Sequence, residues 1–459
     1  MGLFRIFPLK DTTITNAHVP NDLAVRGTGS NFGADPSLEV FARKAEISSG
    51  SIELSRALLR FNVTELSGKI YTDKVIPSSS VSYFLKMFNM QHDETVPTSY
   101  DLFVYPLSQS WDEGTGLNMN FWSDGYANWL SASSTQTWTT TGSDFLTTNY
   151  GSGSQHFDRG SEDLEVNITD VIINWLTGTL PENGIVVKMG NTEETNGVSY
   201  FRKAFHSRES KFIDRLPYVE ARWNDVIKDN RNNLAYDQNN KLYMYNFIRG
   251  VLTNVTEPVY VRIQDHVVGI SASFSSTITA SFVSVGTYSA SLNVKHTASF
   301  SSSWYDIWHS GSYAYMTGTF IPRSLTGSAT GDHDELVVNI SNLKRKYSTS
   351  EKARLNALVT KRNRKTHIGV VATGSLNIQK EMMDTMYYSI INYETGETVI
   401  PFATGSVPHT QLSYDNSGNY FEVYMNSFVP GFMYEVLFLI KENGEDKLFQ
   451  NDFKFKIIS

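Results

Sequence analysis

Four groups of residues in this 459-residue chain have the types and spacing from which chemistry could be built. The first is Trp111-Asp112-Glu113-Gly114, whose neighbouring carboxylates suggest hydrolysis or calcium binding. Adjacent residues of an extended segment point to opposite faces, so the two would not share one substrate, and Trp111 is expected as a core residue of a turn. The second is the set Trp122, Tyr126, Trp129 and Trp138 within a polar, Ser-rich stretch, 121–153. Rings in such a stretch either stack on sugar faces or fill a protein interface; we expect them to plug the sandwich or a neighbouring surface. The third is 344–365, with nine Lys or Arg and the single acid Glu351. Lys344, Arg345, Lys346, Lys361, Arg362, Arg364 and Lys365 flank the apolar run Leu355–Val359, which predicts charges that dock a protein partner and not DNA. The fourth, Asp332-His333-Asp334, is a possible metal cluster, but it lies in a Gly-rich stretch and is expected to be solvated loop.

The usual catalytic signatures are missing. The sequence has no glycine-rich phosphate loop, no G-x-S-x-G elbow, no H-E-x-x-H and no Cys nucleophile. Zero Cys also excludes disulfide frameworks and thiolate metal sites. We therefore expect no catalytic residue, no metal site, no cofactor and no enzyme activity. A net charge of −8 over this length does not mark a nucleic-acid binder. No run is long and apolar enough to cross a bilayer, and the opening residues lack the pattern of a secretory signal or a myristoylation site.

The elements that must position these groups read as strands. Phe41–Ala45, Ser55–Val63, Val81–Met90, Ser99–Pro106 and Gly184–Met189 mix β-formers with alternation or short apolar runs. One short helix is expected over 171–176, capped by Thr169-Asp170 and stopped by Gly178. From Ile270 to Phe282 apolar residues alternate with Ser and Thr, predicting one long strand whose partner returns after Gly286-Thr287. Tyr388, Ile390, Tyr420, Val423, Tyr434, Val436 and Phe438 mark later strands, with hairpin turns at Glu394–Glu397 and Asp415–Gly418. The polar, Asn-rich stretch 224–240 and the Gly-rich stretch 324–335 divide the chain into modules at 1–225, 240–326 and 334–459. The expected fold class is all-β: an N-terminal jelly-roll sandwich followed by two smaller immunoglobulin-like β-sandwich modules.

The ordered set SRALLRFNVTEL (55–66), SQSWDEGT (108–115), NITDVIINWLTG (167–178), ENGIVVK (182–188), FHSRES (205–210) and RLPYVEARW (215–223) resembles the DNRLRE-type jelly roll. That family is a carbohydrate-binding-module-like sandwich of large surface and extracellular proteins. The stretch 121–153 is longer than its simple pattern. AVRGTGSNFGADPSLEVF (24–41), ETGETVIPF, SYDNSGNYF and PGFMYEVLFLI resemble segments in structural proteins of marine, T4-like tailed phages. Together these resemblances imply a virion structural protein of the neck, collar, tail or head surface, assembled in the host cytoplasm. Its partners would be other virion proteins and copies of itself, with no membrane and no specific nucleic acid. The alternatives are a host adhesin that binds surface glycan through the first module and, further off, a polysaccharide depolymerase.

Overall fold

The computed structural model describes residues 2–20, 22–45, 51–122, 125–248, 251–265, 275–295, 303–323, 335–362, 380–442 and 444–459. The protein is 49% strand and 7% helix. It forms two compact units: Leu3–Arg222, and Trp223–Ser459 together with the two N-terminal residues.

The first unit is a two-sheet sandwich of jelly-roll type, the chain passing repeatedly from one sheet to the other. One sheet orders the strands Leu3–Ile6, Tyr218–Trp223, Val81–Met87 and Leu164–Asn167. The other orders Tyr200–His206, Ser37–Lys44, Ile52–Phe61, Ile185–Met189, Tyr100–Pro106 and Gly153–Phe157, with Pro8–Thr15 also paired to Ile52–Phe61. Val81–Met87 and Tyr100–Pro106 each alternate strictly between buried and half-buried, as strands with one face in a core must. Ile52–Phe61 does not alternate; its middle is buried on both faces. Something therefore covers the outside of this sheet as well. The expected helix forms at Thr169–Leu176, and Gly178 follows it at φ +71°. Its N-cap is Ile168 and not Thr169, whose hydroxyl instead accepts the Tyr83 N–H at 2.9 Å.

The second unit holds two successive immunoglobulin-like sandwiches. The first packs Asn240–Tyr245, Thr287–Leu292 and Ser281–Ser284 against Ser275–Thr279, Tyr260–Gln264, Trp304–Ser310 and Tyr313–Phe320. Its core gathers Leu242, Val261, Tyr288, Trp304 and Trp308. The expected single long strand is corrected here. Its first part, 270–274, lies outside the described residues, and the chain changes sheets at Ala280. Ser275–Thr279 pairs with Tyr260–Gln264, whereas Ser281–Ser284 pairs with Thr287–Ser289. Crossing between sheets re-aims the alternation, which leaves Phe282 exposed where the unbroken pattern placed it with the apolar set.

The last sandwich sets Leu336–Ile340, Lys352–Lys361, Gly418–Tyr424 and Ser413–Asp415 against a five-stranded sheet. That sheet contains Lys346–Ser348, Glu445–Ile458, Met433–Glu442, Met386–Asn392 and Thr398–Ile400. Tyr388 stacks on Phe421 with centroids 4.3 Å apart, joining the two layers. Both expected hairpin turns are present, with Gly396 and Gly418 at positive φ.

The stretch 224–240 is not a free linker, and the border expected at Asn240 moves toward the N-terminus. Leu234 enters the core of the middle sandwich. Arg231 forks onto the fully buried Asp306 through Nε at 3.1 Å and Nη2 at 2.6 Å, and Trp308 Nε1 donates to the same carboxylate at 2.8 Å. Polar composition hid this because the partner lies 75 residues further along. On the other side, Asp229 N donates to Tyr414 O at 3.0 Å and Lys228 pairs with Asp384 at 2.6 Å, stitching the two sandwiches of this unit together. Removing one member of a buried ion pair strands the other. Arg231→Met should thus lower the second unit's stability by about 3–5 kcal/mol in denaturant unfolding. Arg231→Met combined with Asp306→Leu should cost clearly less than Arg231→Met alone.

Candidate interaction face

The cover on the outer sheet of the first unit is the Trp-rich insertion. Ile14, Leu58 and Val186 point outward from neighbouring strands and meet Leu107, Trp111, Ala127, Trp129, Ala132 and Trp138 in a second core. Arg56, two residues before Leu58 on the same face, is buried with them. Its Nε and Nη2 donate to Glu194 at 3.1 and 2.8 Å, and Nη1 donates to Gly142 O at 2.5 Å. The guanidinium lies 5.1 Å from the Trp129 ring and 5.4 Å from that of Phe145. Lys188 Nζ, 3.2 Å from Glu194, adds a second cation to this pair. One side chain of the sandwich thereby grips the insertion through its backbone and its rings.

A second anchor is Asn31. Its Nδ2 donates to Glu113 O at 2.8 Å and Ala127 O at 2.9 Å, while Oδ1 accepts from Gly116 N at 2.8 Å and Gly33 N at 3.2 Å. All four bonds of a buried amide are made. The approach is close enough that a Cβ on Gly114, at φ +80°, would lie 2.4 Å from Asn31 Oδ1. Glu113 continues the network: it takes two bonds from Arg208, each 2.9 Å, and accepts Asp11 N at 2.6 Å. Asp112 stays at the surface, so the two adjacent carboxylates do not act as a pair. Trp111 is buried and donates Nε1 to Asn183 O at 3.0 Å. Burial pushes the Asp11 carboxyl up to about 7, with the Arg208 N–H at 2.7 Å opposing and Glu113 assisting.

The four sequence-predicted aromatics separate into two kinds. Trp129 and Trp138 are 5% and 4% exposed, so they are withdrawn as contact residues: both fill the second core, and Trp138 Nε1 is spent on Asn128 O at 2.8 Å. Trp122 is 53% exposed and Tyr126 39%. The Trp122 ring packs against Gly29, where a Cβ would lie 2.8 Å from its Cε3. Phe121 and Leu130 of the same insertion are also exposed, as is Leu117 just before it. The insertion thus buries one set of large residues to hold itself down and turns another set outward.

Among the described residues the basic strip does not form one patch. Lys344 pairs with Glu351 at 2.9 Å, beside the start of the strand Lys352–Lys361, whereas Arg362 follows its end and pairs with Glu335 at 2.6 Å. At about 3.3 Å per residue, that strand sets the two groups roughly 30 Å apart. Arg345 and Lys346 are exposed near the first group, and Lys361 is half-buried in the second. Arg364 and Lys365 lie outside the described residues. Nearness in sequence became distance because the chain between them is extended.

Comparison with known proteins adds little. No family model matches the chain, and no curated protein matches it. A solved structure with which it aligns, the native conformation of E. coli alpha-2-macroglobulin, is 8% identical with a TM-score of 0.17, over 88% of this chain and 21% of that one. A likeness at that level carries no argument.

Arg56 and Asn31 were not found by sequence reasoning. The only signal was a charged residue set inside the apolar run SRALLRF. Trp129→Ala should cost about 3–5 kcal/mol in denaturant unfolding of the first unit, and Trp122→Ala about 1 kcal/mol or less. For Asp11, the folded state keeps a proton between 3.8 and about 7 that the unfolded state has lost. Its contribution is therefore full below that window and lost as pH rises through it. Asp11→Asn should leave stability unchanged near pH 4 and gain on the wild type as pH approaches 7, measured by urea unfolding across that range.

Proposed function

We propose that this chain is a structural protein of a tailed-phage virion, forming a neck, collar, tail or head-surface element by assembly with other virion proteins and with copies of itself. The reading is non-catalytic. Its mechanism is the presentation of rigid surfaces, whose contacts symmetry multiplies in the particle. The observation that carries it is the outward set Phe121, Trp122, Tyr126 and Leu130, held by a buried insertion. Large exposed apolar residues on so fixed a support are those of a contact surface. The middle sandwich supports the same reading: Phe282 and Val283 lie exposed on the edge strand Ser281–Ser284. The sequence resemblance supplies the virion context.

A second reading has one observation in its favour. An exposed Trp ring packed against a glycine is available to stack on a sugar, so a glycan adhesin is the alternative. Trp122→Ala with Tyr126→Ala separates the two, since neither ring belongs to the second core. We expect the doubly substituted chain to stay folded, to lose most of its incorporation into particles, and to show the same absence of glycan-array signal as the wild type. Normal incorporation together with loss of a specific micromolar glycan signal would favour the adhesin.

A further inference from the structure

Lys203, in the strand Tyr200–His206, has no exposed surface. It lies between Phe157 and Phe205, its Nζ 5.1 and 4.8 Å from their ring centres, and nothing in the assembly reading uses it. The three N–H bonds of its ammonium meet three oxygens: Asn89 Oδ1 at 2.5 Å, Glu162 O at 2.7 Å and Gly160 O at 2.8 Å. Two of these are main-chain carbonyls of the loop 158–163, which joins Gly153–Phe157 to Leu164–Asn167. The loop is shaped to turn them inward. Arg159 N donates to Glu162 Oε1 at 2.7 Å, Asn89 N donates to Asp163 Oδ1 at 2.8 Å, and Gly160 takes φ +77° where a Cβ would lie 2.0 Å from Pro97 O. Burial pulls the Lys203 ammonium down to about 8, while the Asp163 and Glu162 carboxylates pull it the other way.

One amide oxygen and two carbonyl oxygens converge on one point, with the Asp163 and Glu162 carboxylates acting on it through their charge, and oxygens of these kinds are ligands of a hard cation. An isolated buried ammonium would cost several kcal/mol, and here the oxygens and carboxylates around it offset that cost. We propose that Asn89 and the loop 158–163 form a cation site whose cation is the chain's own Lys203 ammonium, and that the same oxygens take Ca²⁺ once that ammonium is removed. The first unit thereby fixes this loop without a metal.

The test uses the full chain with Lys203→Met, compared in a chelator and in millimolar CaCl₂. Thermal unfolding gives the stability, and hydrogen exchange over 153–167 shows whether the change lies in the first unit. We expect the wild type to be indifferent to Ca²⁺. The variant should be strongly destabilised and rapidly exchanging in chelator, and should regain roughly 5 °C or more of its midpoint, with protection of the loop, in saturating Ca²⁺. Adding Asn89→Leu to Lys203→Met should abolish the rescue. Lys203→Gln, which keeps one donor and much of the side chain, is the milder variant should the Met side chain block folding, and it should show the same Ca²⁺ dependence. Failure of Ca²⁺ to restore either variant, full stability of either in chelator, or equal stabilisation of the wild type by Ca²⁺ would each overturn the proposal.

Discussion

The grip of Arg56 on the Trp-rich insertion is the interaction on which the first unit's surface depends. The outer face of its larger sheet carries Ile14, Leu58 and Val186, and a sheet that is apolar on both faces cannot end in water. The insertion supplies the missing layer. Its Trp129 and Trp138 would be loose rings on a loop without the guanidinium that binds Gly142 O and packs against Trp129. The charge is tolerable there because Glu194 neutralises it through two bonds. With the layer in place, Phe121, Trp122 and Tyr126 have nowhere to fold back to, and they face outward.

The same device recurs where the chain has to be fastened. Arg231 on Asp306 binds the stretch after the first unit to the middle sandwich, and Lys203 binds the loop 158–163. In each case a buried cation satisfies backbone or carboxylate oxygens that a regular ladder leaves over. Short strands with long connections leave many such oxygens. A chain without disulfides has to fasten those connections by hydrogen bonds, charge and packing alone.

Much of this was legible in the sequence, and the remainder was hidden for identifiable reasons. The all-β class followed from period-two runs such as Val81–Met87, and the hairpins at Gly396 and Gly418 from their turn residues. Trp111 was legible as core because a large apolar ring in a turn has to be buried. Trp129 and Trp138 could not be told from Trp122, since all three sit in polar neighbourhoods and what buries two of them is a sheet face formed far away in sequence. The crossing at Ala280 was invisible because alternation continues through it while the pairing partner changes. Arg231, Arg56 and Lys203 read as ordinary polar residues, since their partners are separated from them by tens of residues.

The central claim is that the outward side chains of the insertion are covered by another protein in the assembled particle. Oxidative footprinting of Trp122 and Tyr126, in the free chain and in intact particles containing it, tests that most directly. The account predicts fast labelling of both in the free chain, strong protection of both in the particle, and slow labelling of buried Trp129 in each state. Equal, fast labelling of Trp122 and Tyr126 in free chain and particle would contradict it.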